Sequence, residues 1–300
     1  MQNPQLVIPM ANFFDQAAEN RRNSYFLILL VFAAVFAAAY AFSLLFFGES
    51  QLGFAISAIL SAVYIAATYH ASGSIVLSIS GAREAQKGEF PYLVNVVEGL
   101  SIAAGIPAPK IYVVDDPAAN AFAVGTSPQK ASVAFTTGLL NQLDRAELEG
   151  VAAHEISHIK NLDSRMATIV VVMVGLIAIL SELGLRSMFW GRGGSRGRDG
   201  GGPAILLGIV IIALAPLVAQ LVRLALSRQR EFLADATGAQ LTRYPEGLAS
   251  ALEKIGKIGS RTARASDATA PLYFANPLSG FQLFSTHPKI EERVRRLREM

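Results

Sequence analysis

Residues 154–158 read His154-Glu155-Ile156-Ser157-His158, and this segment decides how the rest of the chain is interpreted. Residues four positions apart lie on one face of an α-helix, so both imidazoles can bind a single metal ion. Glu155 follows about 100° around the helix, where its carboxylate can take a proton from a water at the metal. The chain has only four histidines, and two at this spacing favour a metal site over a pair of ordinary helix histidines.

The residues before this motif predict the start of a helix. Asp144 is a suitable N-cap, and Glu147 three positions later completes the pattern of a capping box. Apolar residues then recur at helical spacing from Leu148 to Ile156. We therefore expect both histidines of the motif to lie on a regular helix.

A second segment, Glu231-Phe232-Leu233-Ala234-Asp235, offers the remaining groups for a metal site. Catalytic zinc has three protein ligands and keeps its fourth position for water. Two carboxylates four residues apart share a helix face, although such a pair taken alone is more often a solvated surface. Next to the histidine motif, we predict Glu231 as the third ligand and Asp235 as the acceptor for the N–H of a ligating histidine.

The composition indicates a membrane protein, because 52% of the residues are hydrophobic and the mean hydropathy is +0.39. Residues 25–47 contain no charge and are long enough to cross a bilayer, and a second apolar run follows directly. A cleaved signal peptide would be shorter and would not be followed by a second run. We predict a transmembrane hairpin over residues 25–80 after a cytoplasmic leader, residues 1–24.

A second hydrophobic hairpin is predicted over residues 166–222, with a Gly/Arg-rich connector at 184–203. Its first apolar stretch is about 23 Å long as a helix, shorter than the roughly 30 Å hydrocarbon core. It either crosses the membrane or lies in one leaflet. His158 and Glu231 flank it and must reach one metal, so the hairpin leaves and returns on the same side. The metal site is therefore expected to lie close to the membrane surface.

Basic residues near the first hairpin predict its orientation. Arg21 and Arg22 precede it, Arg83 and Lys87 follow it, and the turn between its two helices carries no basic residue. The positive-inside rule therefore places the N-terminus and everything after about residue 81 in the cytoplasm. Four arginines in the connector disagree with the rule if the second hairpin spans fully.

Cysteine content and net charge narrow the possible functions. The chain has no cysteine, which excludes disulfides, thiolate zinc ligands and a cysteine nucleophile. The net charge is +3, and several basic residues are clustered, including those in Arg293–Arg298. We interpret these clusters as solvated faces or as contacts with lipid head groups. No aromatic residues interleave them in the manner of a nucleic-acid site, so nucleic-acid binding is not expected.

Residues 81–165 and 223–300, which carry the two parts of the metal site, are assigned to one domain. Its first part contains three short strand patterns at Lys110–Val114, Ala121–Val124 and Ser132–Thr136. We predict that they form a small antiparallel sheet. An exposed edge of such a sheet can add an extended peptide over the metal, although plain scaffold strands fit the spacing equally well.

Taken together, these segments resemble the HtpX family of heat-shock proteases, membrane zinc endopeptidases of bacteria and archaea that are related to the CAAX prenyl endopeptidases. The resemblance runs from about Tyr25 to the C-terminus, and it rests on the histidine motif with Asn161 and Asp163 beyond it, Asn120-Ala121-Phe122-Ala123, Thr136-Thr137-Gly138-Leu139-Leu140, Glu231–Asp235 and Ser285-Thr286-His287-Pro288. It implies an α-helical membrane protein with a mainly α, α+β gluzincin-type metallopeptidase domain that faces the cytoplasm and cleaves misfolded or damaged membrane proteins.

The resemblance also implies roles for individual residues. One zinc ion is bound by His154, His158 and Glu231, with Glu155 as the catalytic base. His287 is the candidate donor to the developing oxyanion, although a lone histidine is more often structural. The segment Asn120, Ala121, Phe122 and Ala123 borders the substrate cleft.

Two other functions stay open beside quality-control proteolysis. One is a specialised processing protease of the CAAX type, although such enzymes carry more spans than this chain supplies. The other is a catalytically silent membrane scaffold with a structural zinc, which Glu155 argues against because a structural site needs no base. The sequence does not predict an oligomeric state.

Overall fold

The computed structural model describes residues 11–47, 51–86, 88–172, 228–260, 262, 265, 269–275 and 288–300. The helices are α1 Ala11–Phe47, α2 Gln51–Ile79, α3 Pro91–Ala104, α4 Thr137–Gln142, α5 Arg145–Lys160, α6 at 163–172, α7 Arg228–Thr242, α8 Pro245–Ile258 and α9 Ile290–Arg298. The strands are β1 Ala82–Glu84, β2 Lys110–Val114, β3 Ala121–Val124 and β4 Ser132–Thr136. His287, the connector and most of the second predicted hairpin lie outside the described residues.

The sheet has four strands in the order β1-β2-β4-β3. The bounds predicted for β2, β3 and β4 are confirmed, but the prediction of a purely antiparallel sheet is wrong. β2 and β4 pair in parallel, with Lys110 opposite Ser132, while the outer strands pair antiparallel. After β2, the chain forms the edge strand β3 and then reverses direction to form β4 between β3 and β2. Because β3 is antiparallel to β4, β4 runs in the same direction as β2. β1 was not predicted, because Ala82-Arg83-Glu84 shows no apolar alternation.

Helix α5 lies between the sheet and helices α3, α7 and α8. Its apolar residues Val151, Ala152 and Ile156 are fully buried. Gly150 permits the contact with α8, since a Cβ there would lie 2.6 Å from the backbone nitrogen of Leu248. This enclosure fixes the helix that carries the histidine motif.

Helix α5 has a capped start and a sharply defined end. The predicted capping box is confirmed: the Asp144 carboxylate accepts from the Glu147 N–H at 2.9 Å, and the Glu147 carboxylate accepts from the Asp144 N–H at 2.8 Å. At the other end, Asn161 follows the helix and Leu162 adopts a left-handed backbone with φ 61°. The chain then enters α6.

Helices α1 and α2 pack against each other as a long antiparallel pair. Among the described helices, α2 is long and apolar enough to cross a membrane. Helix α1 begins at Ala11, well before the apolar run, so the described part of the polar leader is continuous with the first hairpin helix. Met166 and Ile169 of α6 pack against the pair in a buried apolar cluster with Val31 and Ile65.

Candidate metal centre

The three predicted ligands meet in the structure. His154 and His158 extend from α5 with their Nε2 atoms 3.0 Å apart. Glu231 on α7 places one carboxylate oxygen 3.8 Å from the Nε2 of His154 and the other 3.5 Å from that of His158. Ligand atoms that share a zinc at about 2 Å lie roughly 3–3.5 Å apart. Two imidazoles and one carboxylate at these separations fit a catalytic zinc site, and a chain carrying this donor set can hold one ion.

Each histidine is oriented by a carboxylate on its other ring nitrogen. The Nδ1 of His154 lies 2.9 Å from Asp235 and the Nδ1 of His158 lies 3.1 Å from Asp163. An N–H donated from Nδ1 leaves Nε2 free to bind a metal. The position of Asp235 agrees with its predicted role. Asp163 was part of the resemblance but had been given no role.

Arg293 is a member of the site that the sequence analysis missed. Its side chain is fully buried, and its Nε and Nη2 donate to the two carboxylate oxygens of Asp235 at 2.8 and 2.7 Å. Its guanidinium lies over the ring of Phe274, 5.1 Å from the centroid. The basic run at 293–298 was interpreted as a solvated or lipid-facing cluster, which is wrong for Arg293. The sequence signal that could have revealed its burial is the spacing of four residues between Arg293 and Leu297, which places both on one helix face, and both are buried.

The charges around the histidines favour exchange of a proton for a cation. Burial, together with the charge of the neighbouring His158, lowers the pKa of His154 to about 4. Although burial lowers the pKa of His158 as well, its hydrogen bond to Asp163 and the charge of Glu231 raise it to about 9. The metal-free site therefore carries its proton on His158, and a cation must displace that proton.

Glu155 has the properties of a catalytic base. It is 1% exposed, and neither carboxylate oxygen has a hydrogen-bond partner among the described residues. Burial, together with the charge of Glu231 and against the opposing charge of His158, raises the pKa of Glu155 to about 7. A carboxylate with a pKa near neutrality and no fixed partner can both accept and return a proton.

The segment predicted to border the substrate cleft lies at the edge of the sheet. The side chain of Asn120 is buried and holds the backbone of Ala275 through both of its polar atoms, at 2.9 and 3.1 Å. Ala121 accepts a hydrogen bond from the N–H of Phe274 at 2.8 Å, so this part of the edge is already paired within the chain. The backbone of Ala123 lies near the Glu155 carboxylate and lowers its pKa, which places the rest of the edge next to the base. Its docking role stays a prediction.

Comparison with known proteins identifies the family. Residues 87–300 match peptidase family M48. The chain is similar to the Protease HtpX homologs of Dictyoglomus turgidum (52% identity), Dictyoglomus thermophilum (51%) and Thermoanaerobacter pseudethanolicus (46%). Each alignment covers 96% of this chain, and 95%, 95% and 97% of the respective relative.

Among solved structures, S. mikatae Ste24p aligns with a TM-score of 0.49 and 21% identity, over 93% of this chain and 67% of the other. The family assignment rests on the sequence matches, which agree with the donor set described above. The chain belongs to peptidase family M48 and, within it, to the HtpX protease homologues, so it is a zinc metallopeptidase.

Proposed function

We propose that the protein is a multi-pass membrane endopeptidase that hydrolyses misfolded or damaged membrane proteins, with its catalytic domain on the cytoplasmic side of the inner membrane. The observation that carries the peptidase part is the meeting of His154, His158 and Glu231 beside the unpartnered, buried carboxylate of Glu155. A structural zinc site has no use for such a base.

The chemistry divides between the metal and the chain. Zinc, when bound, polarises the scissile carbonyl and makes water a better nucleophile at neutral pH. Glu155 accepts the proton of the attacking water and returns it to the leaving amine. Asp163 and Asp235 hold the two imidazoles in the tautomer that presents Nε2 to the site.

Contacts of the helix pair support a site close to the membrane surface. Asn20 near the start of α1 bonds to the turn after α5, and Val76 near the end of α2 packs in a cluster with Phe122 of the sheet. Both of these ends therefore contact the catalytic domain, while Phe47 and Gln51 end and begin the helices at the opposite end of the pair.

Exposed groups on the pair are distributed as a membrane anchor requires. Leu52, Ile59 and Val63 on α2 are between 61 and 71% exposed, which is unfavourable in water and favourable in lipid. The exposed Arg21 and Arg22 lie at the end that contacts the catalytic domain. The positive-inside rule assigns that end to the cytoplasm.

The packing of α6 supports membrane association of the second predicted hairpin. Helix α6 covers the first residues of that hairpin, and its Met166 and Ile169 are fully buried against α1 and α2. Residues 166–222 thus begin alongside the first hairpin. We infer that the second predicted hairpin associates with the membrane as the first one does.

The decisive experiment compares Glu155→Gln with the full-length parent in detergent or vesicles. The variant keeps the side-chain volume but cannot accept a proton, so it is expected to bind zinc normally and to lose cleavage of casein and of an unfolded membrane protein. Glu149→Gln, on the same helix and only partly buried, is the matched control and should cleave at the parental rate. Near-normal cleavage by Glu155→Gln would overturn the proposed mechanism.

Two cell experiments test the rest of the proposal. Proteomics of a strain carrying Glu155→Gln should show accumulation of damaged membrane proteins, whereas accumulation of one precursor class would favour a processing protease. A reporter fused after Gln86 should behave as cytoplasmic and one inserted at Ser50 as external. The reverse labelling would contradict the proposed orientation.

A further inference from the structure

We propose that Asn20, on the helix that continues into the first hairpin, is a positioning residue for the zinc ligand His158. This inference rests on the proposed zinc site. Asn20 precedes the region 87–300 that matches the peptidase family, so the membrane anchor completes the support of the active site.

The contacts of Asn20 are those of a buried clamp. The side chain is 0% exposed, and its Nδ2 donates to the carboxylate of Asp163 at 2.6 Å and to the carbonyl of Asn161 at 2.8 Å. A primary amide carries two N–H groups, so both bonds can exist at once. One side chain thus fixes two positions of the chain just beyond the histidine motif.

The two clamped residues flank a strained position. Leu162 lies between them with φ 61°, in the left-handed region that residues other than glycine seldom adopt. This turn brings Asp163 back to the ring of His158, only five residues before it. Because the turn is not a low-energy conformation for leucine, it needs outside contacts such as those of Asn20.

Asp163 transmits the effect of Asn20 to the ligand. One of its carboxylate oxygens accepts from Asn20 and lies 3.5 Å from the Nε of Arg230, and the other faces the Nδ1 of His158 at 3.1 Å. Asp163 is 6% exposed, so water cannot readily replace a lost donor. Removing Asn20 frees the carboxylate to rotate, and the imidazole loses its fixed orientation.

The test uses two substitutions in the full-length protein. Asn20→Leu keeps roughly the side-chain volume and removes both donors. Asn20→Asp keeps the side-chain shape but replaces the N–H donors with a carboxylate oxygen, which is repelled by the Asp163 carboxylate and the Asn161 carbonyl. Ser24→Ala is the matched control, because Ser24 is equally buried on the same helix and, among the described residues, its hydroxyl donates to the carbonyl of Asn20 within that helix.

Three readouts separate positioning from a merely structural role. Zinc affinity is measured by competition with a chelator, the ligand field by the visible spectrum of the cobalt-substituted protein, and folding by the melting temperature of the metal-free protein. Removal of an outer contact of a zinc ligand costs about 10- to 100-fold in metal affinity or activity. We expect a loss of about tenfold in zinc affinity for Asn20→Leu, a larger one for Asn20→Asp and an altered cobalt spectrum for both.

The outcomes assign each result to one hypothesis. Parental zinc affinity and an unchanged cobalt spectrum in both Asn20 variants overturn the positioning role. A loss of affinity that Ser24→Ala reproduces shows that any change in the helix has this effect, and it also overturns the role. If the parent itself binds no zinc, the proposed peptidase function fails instead. A parental kcat with a raised KM would place Asn20 in substrate binding and contradict the proposal.

Discussion

Replacement of Arg293 by methionine tests how the buried charges of the site are balanced. Asp235 is only 2% exposed, and the substitution removes the two hydrogen bonds that its carboxylate accepts from the Arg293 guanidinium. Breaking a buried ion pair from one side costs about 3–5 kcal/mol, because the remaining charge is neither solvated nor paired. At roughly 2–4 °C per kcal/mol for a large domain, the melting temperature of Arg293→Met should fall by about 6–20 °C.

A second substitution determines whether the uncompensated charge causes this loss. Asp235→Asn in the Arg293→Met background removes the charge and still offers an oxygen to the Nδ1 of His154. The double variant should therefore melt above Arg293→Met, although it carries one more change. Zinc affinity should remain about 10- to 100-fold below that of the parent, since a neutral amide is a weaker partner for the ligand.

The assay is thermal unfolding of the full chain in detergent at one scan rate, with zinc affinity measured in parallel. Arg295→Met is the control, because Arg295 lies on the same helix with a side chain 60% exposed and pairs with Glu299 at the surface. Such pairs contribute at most about 1 kcal/mol. An equal melting temperature for Arg293→Met and Arg295→Met would contradict this prediction. So would a double variant that is no more stable than Arg293→Met.

Four further predictions concern the site and its surroundings. Zinc affinity should fall about tenfold for each unit of pH below 8, because zinc displaces a proton from His158, whose pKa is about 9; a flat titration contradicts this. Gly150→Ala should destabilise the fold by about 1–3 kcal/mol through the close contact with the backbone of α8, whereas Gly99→Ala, with nothing within 4 Å, should not. Ala123→Pro removes a backbone donor and should reduce cleavage at unchanged zinc content; intact cleavage rules out this docking edge. His287→Ala should lower the rate about a hundred- to a thousandfold if it stabilises the oxyanion, and loss of zinc instead would make it structural.

The parts of the structure that the sequence predicted are those set by short-range spacing. A separation of four residues places His154 and His158 on one helix face, and a separation of three forms the capping box of Asp144 and Glu147. Strand bounds likewise follow from local apolar patterns. The parallel pairing of β2 with β4 has no local signature, since it depends on which side of the sheet the chain next enters.

Residues that the sequence did not reveal are polar groups buried by distant segments. Asn20 stands among charged residues of the leader, and Arg293 begins a basic run, so each local pattern is that of a solvated surface. Only the packing of α1 and α9 against the catalytic domain buries them. Local patterns carry no information about contacts between residues so far apart in the chain.

A physical rule nevertheless could have directed the search. A buried carboxylate needs a donor, and each carboxylate that orients a zinc ligand is buried in this domain. Asp235 meets this need with Arg293 near the C-terminus, and Asp163 meets it with Asn20 near the N-terminus. His158 is thus linked to α1 and His154 to α9. We therefore expect zinc affinity to fall when either helix is not packed correctly against the catalytic domain. The helix that carries Asn20 and the C-terminal helix therefore both support the metal site, because each supplies a donor to one of the carboxylates that orient the zinc ligands.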